Sequence, residues 1–132
     1  TLLLERIAGT SIAAASLHKC SDTDLHALAR TLGVASVVIT LGAHGCFVSH
    51  AGSDRRGDAN AHYRVAPERV NAIDSTGAGD AFSGSLVAAL LRFAGQPFHT
   101  AVIHANRAAA LSTEIIGTAP TMPRFDTVCG RF

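Results

Sequence analysis

The sequence predicts an α/β fold, a three-layer sandwich built on a mostly parallel sheet, and three observations support this. Helical and strand-like patterns alternate along the chain. The clearest strand candidate, SVVITL at residues 36–41, is a continuous apolar run rich in β-branched residues, the pattern of a strand covered on both faces. The chain has 132 residues, 48% hydrophobic and 16% charged, which is one domain's worth of folded, globular composition.

Taken in order, residues 1–8 are apolar and helical in character, with Gly9 as a stop. The chain begins without Met and inside this helix, so it reads as part of a longer protein. Ser21-Asp22-Thr23-Asp24 reads as an N-cap followed by an acidic third helical position, close to a capping box. Leu25, Leu28, Ala29 and Leu32 form a helical stripe, and Gly33 stands where a left-handed C-terminal residue belongs. After SVVITL, Gly42-Ala43-His44-Gly45 turns the chain into a second strand, CFVSH at 46–50. His44 reads as an exposed residue of that turn.

Residues 51–61, AGSDRRGDANA, are a polar loop by composition. Its Arg56-Gly57-Asp58 triplet has the form of an adhesion motif, but nothing else in the chain is secretory in character, and the triplet reads as chance. His62 to Ala66 is a third strand, ended by Pro67. A helix over 81–93 repeats Phe82, Leu86, Leu90 and Phe93, the first three expected in the core; Gly95 and Pro97 close it. A last, alanine-rich helix over 98–112 suits close packing against a neighbour.

Several function classes are argued against. Net charge is +1 and the densest basic cluster is the pair Arg55-Arg56, so no nucleic-acid footprint is present. No apolar run approaches the roughly 18 residues of a membrane span. The three cysteines are odd in number and far apart, which fits free thiols in a reducing, cytoplasmic setting. The seven histidines show no HExxH spacing, and no CxxC occurs, so no structural metal site is expected.

The chemistry concentrates in DSTGAGDAF, residues 74–82. Glycines ahead of a helix let backbone N–H groups converge on an anion, and the helix dipole adds attraction. The dinucleotide fingerprint fails because position 82 is Phe82 and Gly84 is out of register. A P-loop fails because no lysine follows. What remains is an anion hole with a carboxylate, Asp80, beside it. A base next to an anion hole is what transfer to an alcohol requires. The alternative is an aspartate capping its own helix beside a glycine turn, and the residues alone leave both readings open.

NAIDSTGAGDAFSGSLVAAL resembles the C-terminal signature of the ribokinase-like (PfkB) carbohydrate kinases. VVITLGAHGCFV is similar to the family's nucleotide-side segment, and ANRAAALSTEIIGTAPTMP to its closing segment, in the family's order; the last is spaced most like the ribokinases. The resemblance runs from about Val34 to Pro123 and implies a C-terminal portion of that fold. It implies ATP-dependent phosphorylation of a sugar's primary hydroxyl, with D-ribose as substrate and ATP, Mg2+ and K+ as cofactors. Asp80 would be the base, and the amides of Gly77, Ala78, Gly79 and Asp80 the anion hole. Thr40, Gly42 and Gly45 would line the ATP site, with Asn106 near the adenine. Asp74, Thr76, Ser112, Ile115, Gly117 and Thr121 would surround the monovalent cation, several through backbone carbonyls.

The family's Asn-x-x-Glu element, which helps organise magnesium, has no counterpart here: alignment over LLLERIAGT places its Glu at Leu3. Most sugar contacts and the lid strands through which two copies pair are expected in an N-terminal half outside these residues. A relative acting on a nucleoside or another sugar, and a non-catalytic nucleotide-binding module, are the alternatives to a ribose kinase.

Overall fold

The computed structural model describes residues 17, 19–114 and 123–132. The expected first helix over 1–8, its stop at Gly9, and the cation-site residues Ile115, Gly117 and Thr121 lie outside the described residues. Two compact units divide the chain, Thr1–Ala66 and Pro67–Phe132. Among the described residues no helix is long and apolar enough to cross a membrane.

The first unit sets helix α1, Asp22–Arg30, against a small sheet. Ser21 is the N-cap as its sequence predicts: its Oγ accepts the Asp24 N–H at 3.1 Å, which satisfies one of the donors a helix start leaves unpaired. Asp22 and Asp24 in the first turn and Arg30 in the last complement the helix dipole. Gly33 adopts φ 69°, a left-handed conformation that costs other residues about 1 kcal/mol or more. The buried stripe Leu25, Leu28 and Ala29 meets Val37, Ile39, Leu41, Phe47 and Leu17 in one apolar cluster, with Leu32 at its edge. Each fully buried large side chain there contributes about 1.5–3 kcal/mol.

The sheet consists of β1 (Ser36–Thr40), β2 (Cys46–His50) and β3 (His62–Val65) in the order β1-β2-β3. Both pairings are antiparallel, which corrects the mostly parallel sheet expected from the sequence. Ile39 lies opposite Phe47 and Val48 opposite Tyr63. The physical reason is the connection. Residues 41–45 form a tight turn with a single 3-10 turn at Gly42–His44, whereas a parallel crossover needs about a dozen residues or more. The two-sided burial expected of this run is not seen in β1 either: Val37 and Ile39 are buried while Ser36, Val38 and Thr40 are half-buried, and it is β2 in which every residue is buried.

The second unit is helical among its described residues: α2 (Ala78–Arg92), α3 (Phe98–Ser112) and α4 (Phe125–Arg131). α2 and α3 pack closely because α3 buries small side chains, Ala101, Ala105 and Ala108, beside Val102. α4 docks on α3, with Phe125 stacked on His104 at 4.8 Å and beneath the Arg92 guanidinium at 3.9 Å. α2 begins at residue 78, not 81, so the glycine loop's aspartate belongs to the helix's first turn. Its core also departs from expectation. Phe82 is buried, Leu86 is half-buried, and Leu90 is 40% exposed. A spacing of four residues drifts about 40° per step around a helix of 3.6 residues per turn, so two steps carry Leu90 off the buried face. Ala89, seven residues from Phe82, takes that place and is fully buried.

Candidate active site

The loop before α2 is held by three devices. The N–H groups of Ile73 and Asp74 both donate to the Thr113 carbonyl, at 2.7 and 3.0 Å, tying this segment to the C-terminal end of α3. Asp74 Oδ1 accepts the Thr76 N–H at 2.9 Å, an aspartate-capped turn. Gly77 then takes φ 81°, ψ 0° as the residue before the helix, a left-handed conformation that suits glycine.

Those bonds set the amides. The Ala78 N–H donates to Ser75 O at 3.1 Å and the Ala81 N–H to Gly77 O at 2.9 Å. The N–H groups of Gly77, Gly79 and Asp80 have no hydrogen-bond partner among the described residues. They are the orphan donors of a helix start, where the dipole also favours negative charge. A side chain built onto Gly79 would meet nothing within 4 Å, so the backbone there stands open to approach.

Asp80 sits at the third helical position, where a carboxylate could fold back as a cap. It does not: its side chain is exposed and makes no hydrogen bond or ion pair among the described residues. Chemically, the loop offers a carboxylate acceptor and unpaired main-chain donors within one helical turn.

The cation-site residues that are described lie in the same unit. Asp74 and Thr76 share the turn, and Ser112 precedes the Thr113 that anchors it. Ser112 is fully buried, and its hydroxyl donates to Ala109 O at 2.7 Å, leaving the oxygen able to accept or to ligate. Asn106 is buried on α3. In the first unit, Thr40 ends β1, half-buried and opposite Cys46. Gly42 (φ 57°) and Gly45 (φ 83°) make the following turn, closed by Leu41 N–H to Gly45 O at 2.8 Å. His44 is exposed there, as expected.

A buried polar network was not anticipated. His50 Nε2 lies 2.8 Å from Asp58 Oδ2, Tyr63 donates its hydroxyl to the same oxygen at 2.6 Å, and His50 Nδ1 lies 2.8 Å from Ser36 Oγ. Arg56 Nε donates to Ser36 Oγ at 2.8 Å while its backbone sits at φ 51°, held by an Asp54 Oδ1 contact to its N–H. Of the Arg56-Gly57-Asp58 triplet, Asp58 is buried in the fold while Arg56 and Gly57 are exposed. Burial, and then the Asp58 hydrogen bond, push the Tyr63 phenol up; burial pushes the Cys46 thiol up to about 12. No sequence signal beyond the alternation His50, Val48, Cys46 on one strand face could have found this network.

On the other face of the sheet, His26 Nδ1 and Arg30 Nε both reach Ser49 Oγ, and the His26 and His62 rings stack at 4.4 Å. Burial, His62 and Arg30 together hold the His26 pKa below its ordinary value. Among the described residues no cluster of His, Cys, Asp or Glu could hold a metal ion.

Comparison with known proteins adds three findings. The profile of the family "pfkB family carbohydrate kinase" matches residues 7–124. A ribokinase of Haemophilus influenzae is 38% identical over 91 residues, covering 69% of this chain and 26% of that protein; a fructokinase of Escherichia coli is 37% identical over 70 residues, covering 53% and 20%. The ribokinase of Arabidopsis thaliana, solved with ribose and ATP, superposes with a TM-score of 0.75 at 24% identity, covering 96% of this chain and 37% of that one. That likeness establishes a portion of the α/β fold. The chain spans about a quarter of the length of the curated ribokinase it matches, 26%.

Proposed function

The chain belongs to the pfkB family of carbohydrate kinases, and from that premise we propose that it forms the phosphoryl-transfer part of an ATP-dependent sugar kinase acting on the primary hydroxyl of D-ribose. The observation that carries this reading is Asp80: an exposed carboxylate uncommitted to its own helix, one turn from main-chain donors that have no other partner. Asp80 takes the proton of the sugar hydroxyl as the oxygen bonds to phosphorus. The amides of Gly77, Gly79 and Asp80 meet the charge on the phosphoryl oxygens, and that of Ala78 joins them once its bond to Ser75 opens. Bound MgATP supplies the transferred group and departs as ADP.

The open backbone at Gly79 and the unpaired amides fit an anionic nucleotide. By resemblance to the family's motifs, nucleotide-binding roles are assigned to Thr40, Gly42 and Gly45 in the first unit and, for the adenine, to Asn106 in the second. Asp74, Thr76 and Ser112, with Ile115, Gly117 and Thr121, hold a potassium ion; the Asp74 carboxylate supplies the charge such an ion needs. Cytoplasmic residence goes with this chemistry and with three cysteines, Cys20, Cys46 and Cys129, that form no disulfide. The Arabidopsis relative's ribose supports the substrate, and the fructokinase match keeps another sugar as the alternative acceptor.

Asp80→Asn in the enzyme carrying this chain lowers ribose 5-phosphate formation by about 10²–10⁴-fold with ATP binding by calorimetry unchanged; turnover near wild type rejects Asp80 as the base. Turnover is faster in potassium than in sodium buffer at equal ionic strength, and equal rates reject the Asp74 assignment. The alternative reading is a nucleotide-binding module without turnover. ATP binding with no turnover in wild type selects it.

A further inference from the structure

The network beside residues 51–61 contains a Ser-His-Asp chain that the kinase reading does not use. Ser36 Oγ lies 2.8 Å from His50 Nδ1, and His50 Nε2 lies 2.8 Å from Asp58 Oδ2. A carboxylate only accepts hydrogen bonds, so the proton of the neutral ring sits on Nε2, and Nδ1 is left to accept the Ser36 hydroxyl. The contact that fastens the loop therefore also fixes the tautomer. Tyr63 holds the same Asp58 oxygen from β3, its hydroxyl donating at 2.6 Å. Arg56 Nε donates to Ser36 Oγ at 2.8 Å, which puts a positive group where charge gathers if that oxygen loses its proton. Arg56 takes φ 51°, a conformation that costs about 1–3 kcal/mol, and the bond from its N–H to Asp54 Oδ1 holds it there.

Burial is graded along this chain of groups. His50 and Asp58 are 1% and 7% exposed, Ser36 is half-buried and Arg56 is exposed. The base and the group that orients it are dry, while the residue carrying the hydroxyl reaches the surface. The other face of the sheet supplies a contrast. Ser49 Oγ has the same two kinds of neighbour, His26 Nδ1 at 2.8 Å and Arg30 Nε at 2.9 Å. Ser49 is fully buried, however, and no carboxylate bonds His26 among the described residues. We propose that Ser36 is a nucleophile, with His50 as its base and Asp58 positioning the ring, and that it transfers small acyl groups from esters to water. Ser36 Oγ bonds to the acyl carbon as its proton passes to His50 Nδ1. The bond from that carbon to the alcohol oxygen breaks, and the alcohol leaves with the proton from Nδ1. Water then adds to the acyl-serine by the same route, releasing the carboxylic acid and restoring the Ser36 hydroxyl. This activity does not depend on the kinase reading.

The test treats the protein carrying this chain with an alkyl fluorophosphonate, which bonds to an activated serine with loss of fluoride, and separately with p-nitrophenyl acetate. Peptide mass mapping places the label on Ser36 and none on Ser49. Ser36→Ala loses both the label and the acetate hydrolysis, and His50→Gln slows both by about 10²-fold or more. Ser53→Ala, exposed on the same loop as Asp58, changes neither. Asp58→Asn keeps the shape, but its amide can donate to Nε2 and move the ring proton to Nδ1. The rate in that variant climbs with hydroxide instead of levelling once the ring is neutral, which loss of a merely fastening contact would not produce. The groups facing the ring are Ser36 from β1, Asp58 and Arg56 from the loop, and Tyr63 from β3. Circular dichroism checks the fold of each variant, and the mapping on wild type stands whatever the variants do. Wild-type protein that takes no label at Ser36 overturns the proposal. So does a label indifferent to His50→Gln, or acetate hydrolysis that survives Ser36→Ala. An unchanged pH profile in Asp58→Asn overturns the role of Asp58.

Discussion

Two loops of this chain have nearly the same composition and opposite fates. Residues 51–61 and 74–80 each carry two glycines and two aspartates, and each leads into regular structure, β3 and α2. In the first, Asp58 is buried and its Oδ2 serves both His50 and Tyr63. In the second, Asp80 is exposed and serves nothing among the described residues. Each loop uses its first aspartate, Asp54 or Asp74, to accept a backbone N–H two residues on; the second aspartate fastens the first loop to the sheet and is left available in the other. Composition cannot separate fastening from chemistry; the partners of each oxygen do.

Exchanging the two kinds of damage tests that contrast most strongly. Asp80→Asn, with its 10²–10⁴-fold loss of turnover, leaves unfolding free energy within about 0.5 kcal/mol of wild type, since an exposed, unpaired side chain is removed. Asp58→Ala does the reverse. It strands the ring nitrogen of His50 and the Tyr63 hydroxyl, at about 1–3 kcal/mol each, so urea unfolding shows a loss of about 2–6 kcal/mol. ATP affinity below the unfolding transition stays at the wild-type value. A large stability loss in Asp80→Asn, or none in Asp58→Ala, breaks the comparison.

The sequence made some of this legible and hid the rest for physical reasons. Local signals were readable because they are local: the Ser21 cap, the left-handed Gly33, and the Leu25-Leu28-Ala29 stripe all involve neighbours in the chain. Strand direction was misread because an apolar, β-branched run does not itself encode the direction of its neighbour, and only the short 41–45 connection does. Leu90 was misplaced because a four-residue repeat drifts around a helix. The His50–Asp58–Tyr63 network was invisible because it is closed by tertiary approach across three segments. At the candidate site the residue types could be read, but the uncommitted state of Asp80 could not, since capping and waiting look alike in one dimension.

Within the second loop, adjacent glycines sharpen the contrast. Gly77→Ala places a Cβ at φ 81° and destabilises by about 1–2 kcal/mol. Gly79 is in helix and its added Cβ meets nothing, so Gly79→Ala gains stability, up to about 1 kcal/mol from helix propensity. If the Gly79 backbone must approach a phosphoryl group, the same methyl slows turnover. A variant more stable and slower supports a functional glycine; one more stable and equally fast reduces the loop to a turn. Thermal unfolding and initial rates, measured on one preparation, decide it.

The smallest effect is a pH dependence that both units share through different histidines. His26 is depressed by burial, His62 and Arg30; His104 on α3 is depressed by burial, Arg107 and Arg92. In the unfolded chain each titrates near the ordinary value of 6.5. Below that value the unfolded state binds protons that the folded state refuses, so stability rises with pH across the window. It is fully present above about 6.5 and is lost as pH falls toward the depressed folded values. Denaturation midpoints between pH 5 and 8 read the slope. His26→Gln and His104→Gln each flatten it, because each removes one histidine that resists protonation in its own unit. If only one of them does so, the acid sensitivity belongs to that histidine's surroundings alone, and the two units differ in this respect as their aspartate loops do.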